Sequence, residues 1–327
     1  MLQYFRNIYT MYNDVMQESI FDTLILGGGP SGLTAAIYTS RAMIKTLVLA
    51  GNPAGGQLTT TTEVENFPGF ITGVQGPELV ADMRTQAEKF GTTCVNENVV
   101  KISGDAQKGF EVETDAGNTY KGRSVIIATG ASAKWLGLES ETALRGKGVS
   151  ACATCDGFFF KDKVVAVVGG GDAAMEESTF LTKFASKVYV LVRGDEATLR
   201  ASKIMKDRAQ NNSKIEFVFN IEVTEVLGTD KVAGLRVMNN QTNEEKVMDD
   251  VQGLFVAIGH NPNTEFLKDF IELDPKGYIK VENVTATSRE GVFAAGDVAD
   301  YRYRQAITAA GLGCMASLDA IRFLAEL

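Results

Sequence analysis

The sequence predicts an α/β chain built from two Rossmann-like, three-layer dinucleotide-binding domains. Three observations carry this. A glycine-rich turn lies between an apolar strand and a helical pattern near residue 27, and the same signature recurs near residue 169. The length of 327 residues is enough for about two domains at roughly 150 residues each. Composition agrees, since glycine makes up 33 of 327 residues. Average usage is nearer ~7%, so the excess marks places where backbone must come close to something. Lys+Arg 32 against Asp+Glu 41 gives a net charge of −9, which argues against a nucleic-acid partner. No window approaches ~18 uninterrupted apolar residues, so no membrane partner is expected. A hydrophobic content of 45% with dispersed charge excludes extended disorder.

Residues 1–20, MLQYFRNIYTMYNDVMQESI, interleave Met, Tyr and Phe with Arg6, Asp14 and Glu18. They hold no continuous apolar run and no small-residue cleavage site, so they read as an N-terminal extension. Phe21–Leu26 is a short apolar strand that enters Gly27-Gly28-Gly29-Pro30-Ser31-Gly32 and then the helical pattern LTAAIYTSRAM. This is G-x-G-x-x-G in its required context. Gly27 makes the turn, Gly29 lets a pyrophosphate approach the backbone, and Gly32 permits close helix–strand packing. The helix start adds N–H groups and a partial positive charge. The next strand, Lys45–Leu49, ends in Ala50-Gly51 where an acidic ribose partner is usual, so that contact is expected from elsewhere.

Ser124–Gly130 reads as a strand ending in a small-residue turn at Thr129 and Gly130. Cys152 and Cys155 then form C-x-x-C in Ala151-Cys152-Ala153-Thr154-Cys155-Asp156-Gly157. A structural zinc would need a second ligand pair, which the lone His260 and the isolated Cys94 and Cys314 do not readily supply. The pair therefore reads as a reversible dithiol/disulfide, and Cys94 and Cys314 as packed thiols. The second fingerprint follows: strand Lys163–Val168, then Gly169-Gly170-Gly171-Asp172-Ala173-Ala174, with Ala174 in the packing role, then a helix. The strand Lys187–Val192 ends in Arg193, with Arg200 and Lys203 beyond, which suits a 2′-phosphate. Apolar strands close at Gly259 and at Gly296-Asp297. The latter can place a carboxylate beside a ligand hydroxyl, or be an ordinary strand exit.

Together these residues resemble the low-molecular-weight thioredoxin reductases, from about Phe21 to Leu327. The resemblance is most specific at Gly55–Gly69 (GGQLTTTTEVENFPG), at the CATCDG of 152–157, and at Ala294–Val298 followed by Arg304-Gln305-Ala306. It implies that the second domain is inserted into the first. The FAD-binding domain would be 1–134 and 260–327, and the NADP(H)-binding domain 135–259 would carry the dithiol. The resemblance places Gly27–Gly32 on the FAD pyrophosphate, and Gln57, Leu58, Asn66, Thr129 and Gly130 on the flavin side. Gly296 and Asp297 would lie at the ribityl or phosphate region, and Arg304, Gln305 and Ala306 against the isoalloxazine. Gly169, Gly171, Asp172, Ala173, Ala174, Arg193 and Arg200 would hold NADPH.

The implied activity passes electrons from NADPH through FAD to the Cys152–Cys155 disulfide and on to oxidised thioredoxin. Cys155 would face the flavin, Cys152 would attack the partner, and Asp156 would manage the thiol protons. Asp156 could also be only a turn or capping residue before Gly157. Hinges are expected near 131–136 and 257–262, His260 is expected to be structural, and a cytoplasmic homodimer is implied. One departure stands out. The family pattern reads His-Arg-Arg with a further Arg beyond, where this chain has Val192-Arg193-Gly194 and Arg200. NADPH remains the expected donor, with NADH possible. Two alternatives share the double fingerprint: a flavin-dependent small-molecule dithiol oxidase and a non-enzymatic redox-sensing flavoprotein.

Overall fold

The computed structural model describes residues 20–61 and 63–327, so the expected extension lies outside the described residues except for Ile20. The chain forms two compact units. One runs to Ser132 and resumes at Asn261–Leu327, and the other is Ala133–His260.

In the first unit β1 (Ile20–Leu26) leads into α1 (Pro30–Arg41) and β2 (Thr46–Leu49). Then come α2 (Gly76–Lys89), β3 (Thr93–Val95), the hairpin β4 (Val99–Asp105) and β5 (Gly109–Thr114), and β6 (Thr119–Ile127). After the second unit the chain returns with a strand, Val292–Ala294, and a C-terminal helix, Ala306–Ala325. The parallel order is β3-β2-β1-β6-return strand. Halfway along, β6 changes partner: Thr119–Gly122 pair antiparallel with β5, while Val125–Ile127 pair with the return strand.

Successive residues of these strands fall into two cores. Leu24, Leu26, Leu47, Leu49, Val125 and Ile127 pack on one face, and Ile25, Val48, Ile126 and Phe293 on the other. A strand buried on both faces has to be apolar at every position, which is why β1 shows a run rather than an alternation. α1 meets the C-terminal helix through small residues, Ala35 and Ala36 with Ala316 and Ala320. That C-terminal helix is long and apolar enough by composition to cross a membrane, with a mean hydropathy of 1.4. Its Ala309, Ala310, Gly313, Ala316, Ser317 and Ala320 are nonetheless buried in this unit.

The second unit repeats the plan. β7 (Val149–Ser150) precedes β8 (Val164–Val168), α3 (Asp172–Leu181), β9 (Lys187–Val192), α4 (Lys203–Gln210) and β10 (Ile215–Phe219). The antiparallel β11 (Ile221–Leu227), β12 (Gly234–Asn239) and β13 (Glu245–Met248) follow, then β14 (Gly253–Val256). The parallel order is β10-β9-β8-β14-β7, so β8 and β14 stand where β1 and β6 stand in the first unit. Val165, Val167, Val188 and Val190 pack with Ala174 and Met175 of α3. Ala166, Leu191, Leu254 and Val256 pack with Val226, Leu235 and Val237 of β11–β12 on the other face. This gives the three layers.

The first helix differs in its bounds from the expected LTAAIYTSRAM, and the second likewise starts inside its motif. α1 and α3 begin at Pro30 and Asp172, inside the glycine motifs, and stop at Arg41 and Leu181. Pro30 sits at the first helical position, where its fixed φ and missing N–H carry no penalty.

Candidate active site

In the first turn the glycines divide by what surrounds them. A side chain at Gly27, which has φ +122°, would place its Cβ 2.2 Å from the Ala128 carbonyl oxygen. One at Gly32 would lie 1.9 Å from the Gly27 carbonyl oxygen. Gly29 is different, because its nearest neighbour would be 3.9 Å away. Gly27 and Gly32 therefore serve packing, and Gly29 presents open backbone. Two distant segments close around the first turn of α1. Gly296 approaches the Ser31 side chain at 3.0 Å, and Gly313 approaches the Ser31 carbonyl at 2.1 Å, both measured to a virtual Cβ. Gly313 is missing from the expected set, although a glycine inside a helix is itself a signal of close packing.

Ser31 Oγ is buried and has no hydrogen-bond partner among the described residues. Buried hydroxyls are normally satisfied, so this one is available to a ligand. Asp297 lies beside Gly296, and burial pushes its carboxyl up to about 6, helped by Asp300 and opposed by Arg304. Arg304 holds a left-handed φ of +49° directly before the C-terminal helix. Gln305 caps that helix in a reciprocal arrangement with Thr308, and Ala306 is its first residue.

Contacts across the sequence join several other expected residues. Asn66 Nδ2 donates to Gln305 Oε1 at 3.4 Å. Gln57 Nε2 donates to the Ala131 carbonyl. Leu58 packs against the cluster of Leu33, Val64 and Leu79. Thr129 Oγ1 donates to the Asn263 carbonyl at 2.8 Å, and Asn263 Nδ2 returns a bond to the Thr129 carbonyl at 2.8 Å. Asn263 also takes a bond from Ser132 Oγ at 3.0 Å, and it was not among the expected site residues. Gly130 follows with φ +69°.

The second turn repeats the first. A Cβ at Gly169 would lie 2.5 Å from the Ala257 carbonyl oxygen and 2.9 Å from the Ala174 Cβ, whereas Gly171 has nothing within 4 Å. Ala174 is fully buried, Ala173 half-buried and Asp172 exposed. Asp172 Oδ1 accepts from the Ser202 N–H at 2.7 Å. The Gly170 carbonyl accepts from the Arg200 and Ala201 N–H groups at 2.8 and 3.2 Å, which brings Arg200 to the turn. Arg193 is exposed at the end of β9.

The two cysteines lie on the same unit. β7 ends at Ser150, and Cys152 caps the short helix Ala153–Asp156. Cys152 and Cys155 are joined as a disulfide with a Cα–Cα distance of 5.3 Å. The Asp156 N–H donates to the Cys152 carbonyl at 3.1 Å, placing the carboxylate one turn after Cys152. The Asp156 side chain caps nothing. Burial raises its carboxyl above the usual range, and a hydrogen bond with Ser150 pulls it partly back. Ser150 Oγ also accepts from the Cys152 N–H at 3.0 Å, so one hydroxyl serves both the disulfide backbone and the acid. Sequence reasoning missed Ser150, which carries no motif of its own. Cys155 is exposed and Cys152 half-buried. Cys94 and Cys314 are free, and burial pushes the Cys94 thiol up to about 11, which leaves it inert at neutral pH.

Comparison with known proteins places this geometry. The family model of pyridine nucleotide-disulphide oxidoreductases matches residues 21–313. The chain is 52% identical to the thioredoxin reductase of Mycolicibacterium smegmatis over 94% of this chain and 98% of that protein. It is 51% identical to the bifunctional thioredoxin reductase/thioredoxin of Mycobacterium leprae over 94% of this chain and 67% of that protein. Thioredoxin reductase from Giardia duodenalis superposes with a TM-score of 0.88 at 42% identity, covering 94% of this chain and all of that one. With two glycine-rich Rossmann turns, a disulfide beside a half-buried acid and relatives of this similarity, the chain belongs to the thioredoxin reductases of the pyridine nucleotide-disulphide oxidoreductase family.

Proposed function

We propose that this chain is a thioredoxin-disulfide reductase that draws electrons from NADPH through FAD. The domain with segments 1–134 and 260–327 would bind FAD, and the domain 135–259 would bind NADPH. The observation that carries this reading is the Cys152–Cys155 disulfide beside a half-buried Asp156, on a unit with its own dinucleotide turn. The first turn fits a dinucleotide: Gly29 presents open backbone, the orphaned Ser31 Oγ offers a hydrogen-bonding hydroxyl, and the Asp297 carboxylate offers an acceptor for a ligand hydroxyl. Gly171 presents the same open backbone in the second turn.

A flavin held at the first turn would supply two-electron transfer between a reduced nicotinamide and a disulfide. The chain's own residues do the rest. The Cys152–Cys155 bond accepts two electrons and a proton, leaving a thiol and a thiolate. Cys152 then attacks the partner's disulfide, displacing one of its sulfurs as thiolate and forming a mixed disulfide. Cys155 attacks the Cys152 sulfur, which releases the reduced partner and restores the intramolecular bond. Asp156, with its pKa raised by burial, is protonated over a wider pH range than an exposed carboxylate and can deliver a proton to the departing thiolate. Thioredoxin as partner is supported by the Mycobacterium leprae relative, whose name joins both activities in one chain. A homodimer in the cytoplasm completes the proposal.

The test is an anaerobic titration of the purified flavoprotein with NADPH, followed by oxidised thioredoxin. Bleaching by NADPH and reoxidation by thioredoxin, with loss of the second step in Cys152→Ser, is the expected result. If oxygen is then admitted to the NADPH-reduced protein, peroxide production without thioredoxin turnover would instead make the chain a dithiol oxidase, and neither reaction would make it a sensor.

A further inference from the structure

In a Rossmann fold the loop after the second strand meets the adenosine ribose, and its charge decides whether a 2′-phosphate is preferred over a free hydroxyl. Here that loop is 193–200, directly after β9. Two arginines, Arg193 and Arg200, are matched by two carboxylates, Asp195 and Glu196, and all four residues are exposed. The next cation, Lys203, is engaged by Asp207 at 2.6 Å.

The loop backbone is also held in place. The Arg193 carbonyl accepts from Asn240 Nδ2 at 2.5 Å, and the Gly194 carbonyl accepts from the Asn220 N–H at 3.0 Å. Asp195 caps the turn through the Thr198 N–H at 3.1 Å, and Thr198 Oγ1 donates to the Asp195 carbonyl at 2.6 Å. Thr198 thereby fills the space beside Gly194, where a Cβ would lie 2.2 Å from its hydroxyl oxygen. A further basic side chain at 194 has no room unless this turn is rebuilt. Val192, on the other side of Arg193, is buried in the core.

We infer that this electrically balanced loop makes the chain nearly indifferent to the 2′-phosphate, so that it accepts NADH alongside NADPH with less than a tenfold preference. The inference rests on the reading of the second unit as the pyridine-dinucleotide site. A phosphate dianion gains from Arg193 and Arg200 but is repelled by Asp195 and Glu196, whereas a ribose hydroxyl is hardly affected by either sign. Glu196 is the informative position. Among the described residues its carboxylate accepts a single exposed bond, from Gln210 Nε2 at 2.6 Å, so it can be changed without disturbing the turn.

Isothermal titration of the oxidised, flavin-loaded protein with NADP+ and NAD+ separately, at low ionic strength, tests this without turnover. The Kd values are expected within tenfold of one another. Glu196→Lys is expected to tighten NADP+ at least fivefold and leave NAD+ within twofold, and raising the salt should erase the gain. Arg193→Ala should bring the two Kd values together. A wild-type preference for NADP+ above tenfold, or a Glu196→Lys effect shared equally by both ligands, overturns the inference while leaving the site assignment standing. Failure of both coenzymes to bind overturns the site assignment, and the inference with it.

Discussion

Gly29→Ala and Gly32→Ala separate packing from ligand approach within a single turn. At Gly32 a Cβ would sit 1.9 Å from the Gly27 carbonyl oxygen. Either the helix or the turn must move by more than an ångström, and overpacking of this kind costs about 1–3 kcal/mol. At roughly 2–4 °C per kcal/mol for a protein of this size, the melting temperature should fall by about 2–12 °C. Gly29 has φ −82° and ψ −175°, an extended backbone open to any residue. Its Cβ would meet nothing closer than 3.9 Å. Alanine there removes freedom from the unfolded chain and should leave the flavin-free protein unchanged or about 0.4–1 kcal/mol more stable. The added methyl would nonetheless stand in the approach of a pyrophosphate, so purified Gly29→Ala should carry little flavin. The assay is the flavin-to-protein absorbance ratio together with thermal melts of the flavin-free proteins. A Gly29→Ala protein with full flavin content, or a Gly32→Ala protein with an unchanged melting temperature, would refute the assignment of these two roles.

Other consequences follow from the same contacts. Asp297 has its carboxyl raised from 3.8 to about 6, so the flavin-free fold favours its neutral form. Its contribution is fully present below the unfolded value, near 4, and is lost as pH rises through about 6. Denaturant titrations should show up to ~3 kcal/mol gained between pH 7 and 4 from this group, with Asp297→Asn flattening that slope. Ser150→Ala removes the hydrogen bond that holds the Asp156 carboxyl down. The pH profile of thioredoxin reduction should then move to higher pH on its carboxyl limb, and Ser150→Thr should restore it. Glu141 is fully buried and accepts from the Leu136 and Gly137 N–H groups at 2.8 and 3.0 Å, beside Arg145 stacked 4.0 Å over Trp135. Glu141→Ala orphans those donors and removes the 3.5 Å ion pair with the half-buried Arg145, which should cost about 3–5 kcal/mol in chemical denaturation. Trp135 is the only tryptophan, so its emission should shift in that variant and report the disturbance directly.

Both dinucleotide turns were legible in the sequence because their chemistry is local. A buried parallel strand must be apolar throughout, a tight turn needs glycine, and the helix start follows within a few residues, so strand, turn and helix could all be read from one short stretch. The cysteine pair was legible for the same reason, since three residues of separation bring two sulfurs within bonding reach. Most of what the sequence left open depends on contacts between segments far apart in the chain, and the rest on how a short stretch turns back on itself. Nothing near Ser31 indicates that Gly296 and Gly313 will close on it, nor near Asn66 that Gln305 will be its partner. Ser150 acquires its place beside Asp156 only once the chain turns at Cys152 into the short helix after β7. Gly194 could be read as a missing charge, yet the reason no side chain fits there is the Thr198 hydroxyl, held by Asp195. The sequence by itself determined where the two glycine-rich strand–turn–helix units lie and which sulfurs pair. Tertiary structure decided which polar groups are buried, which are satisfied and which are left to a ligand, because burial and hydrogen bonding are set by whatever the rest of the fold packs against each residue.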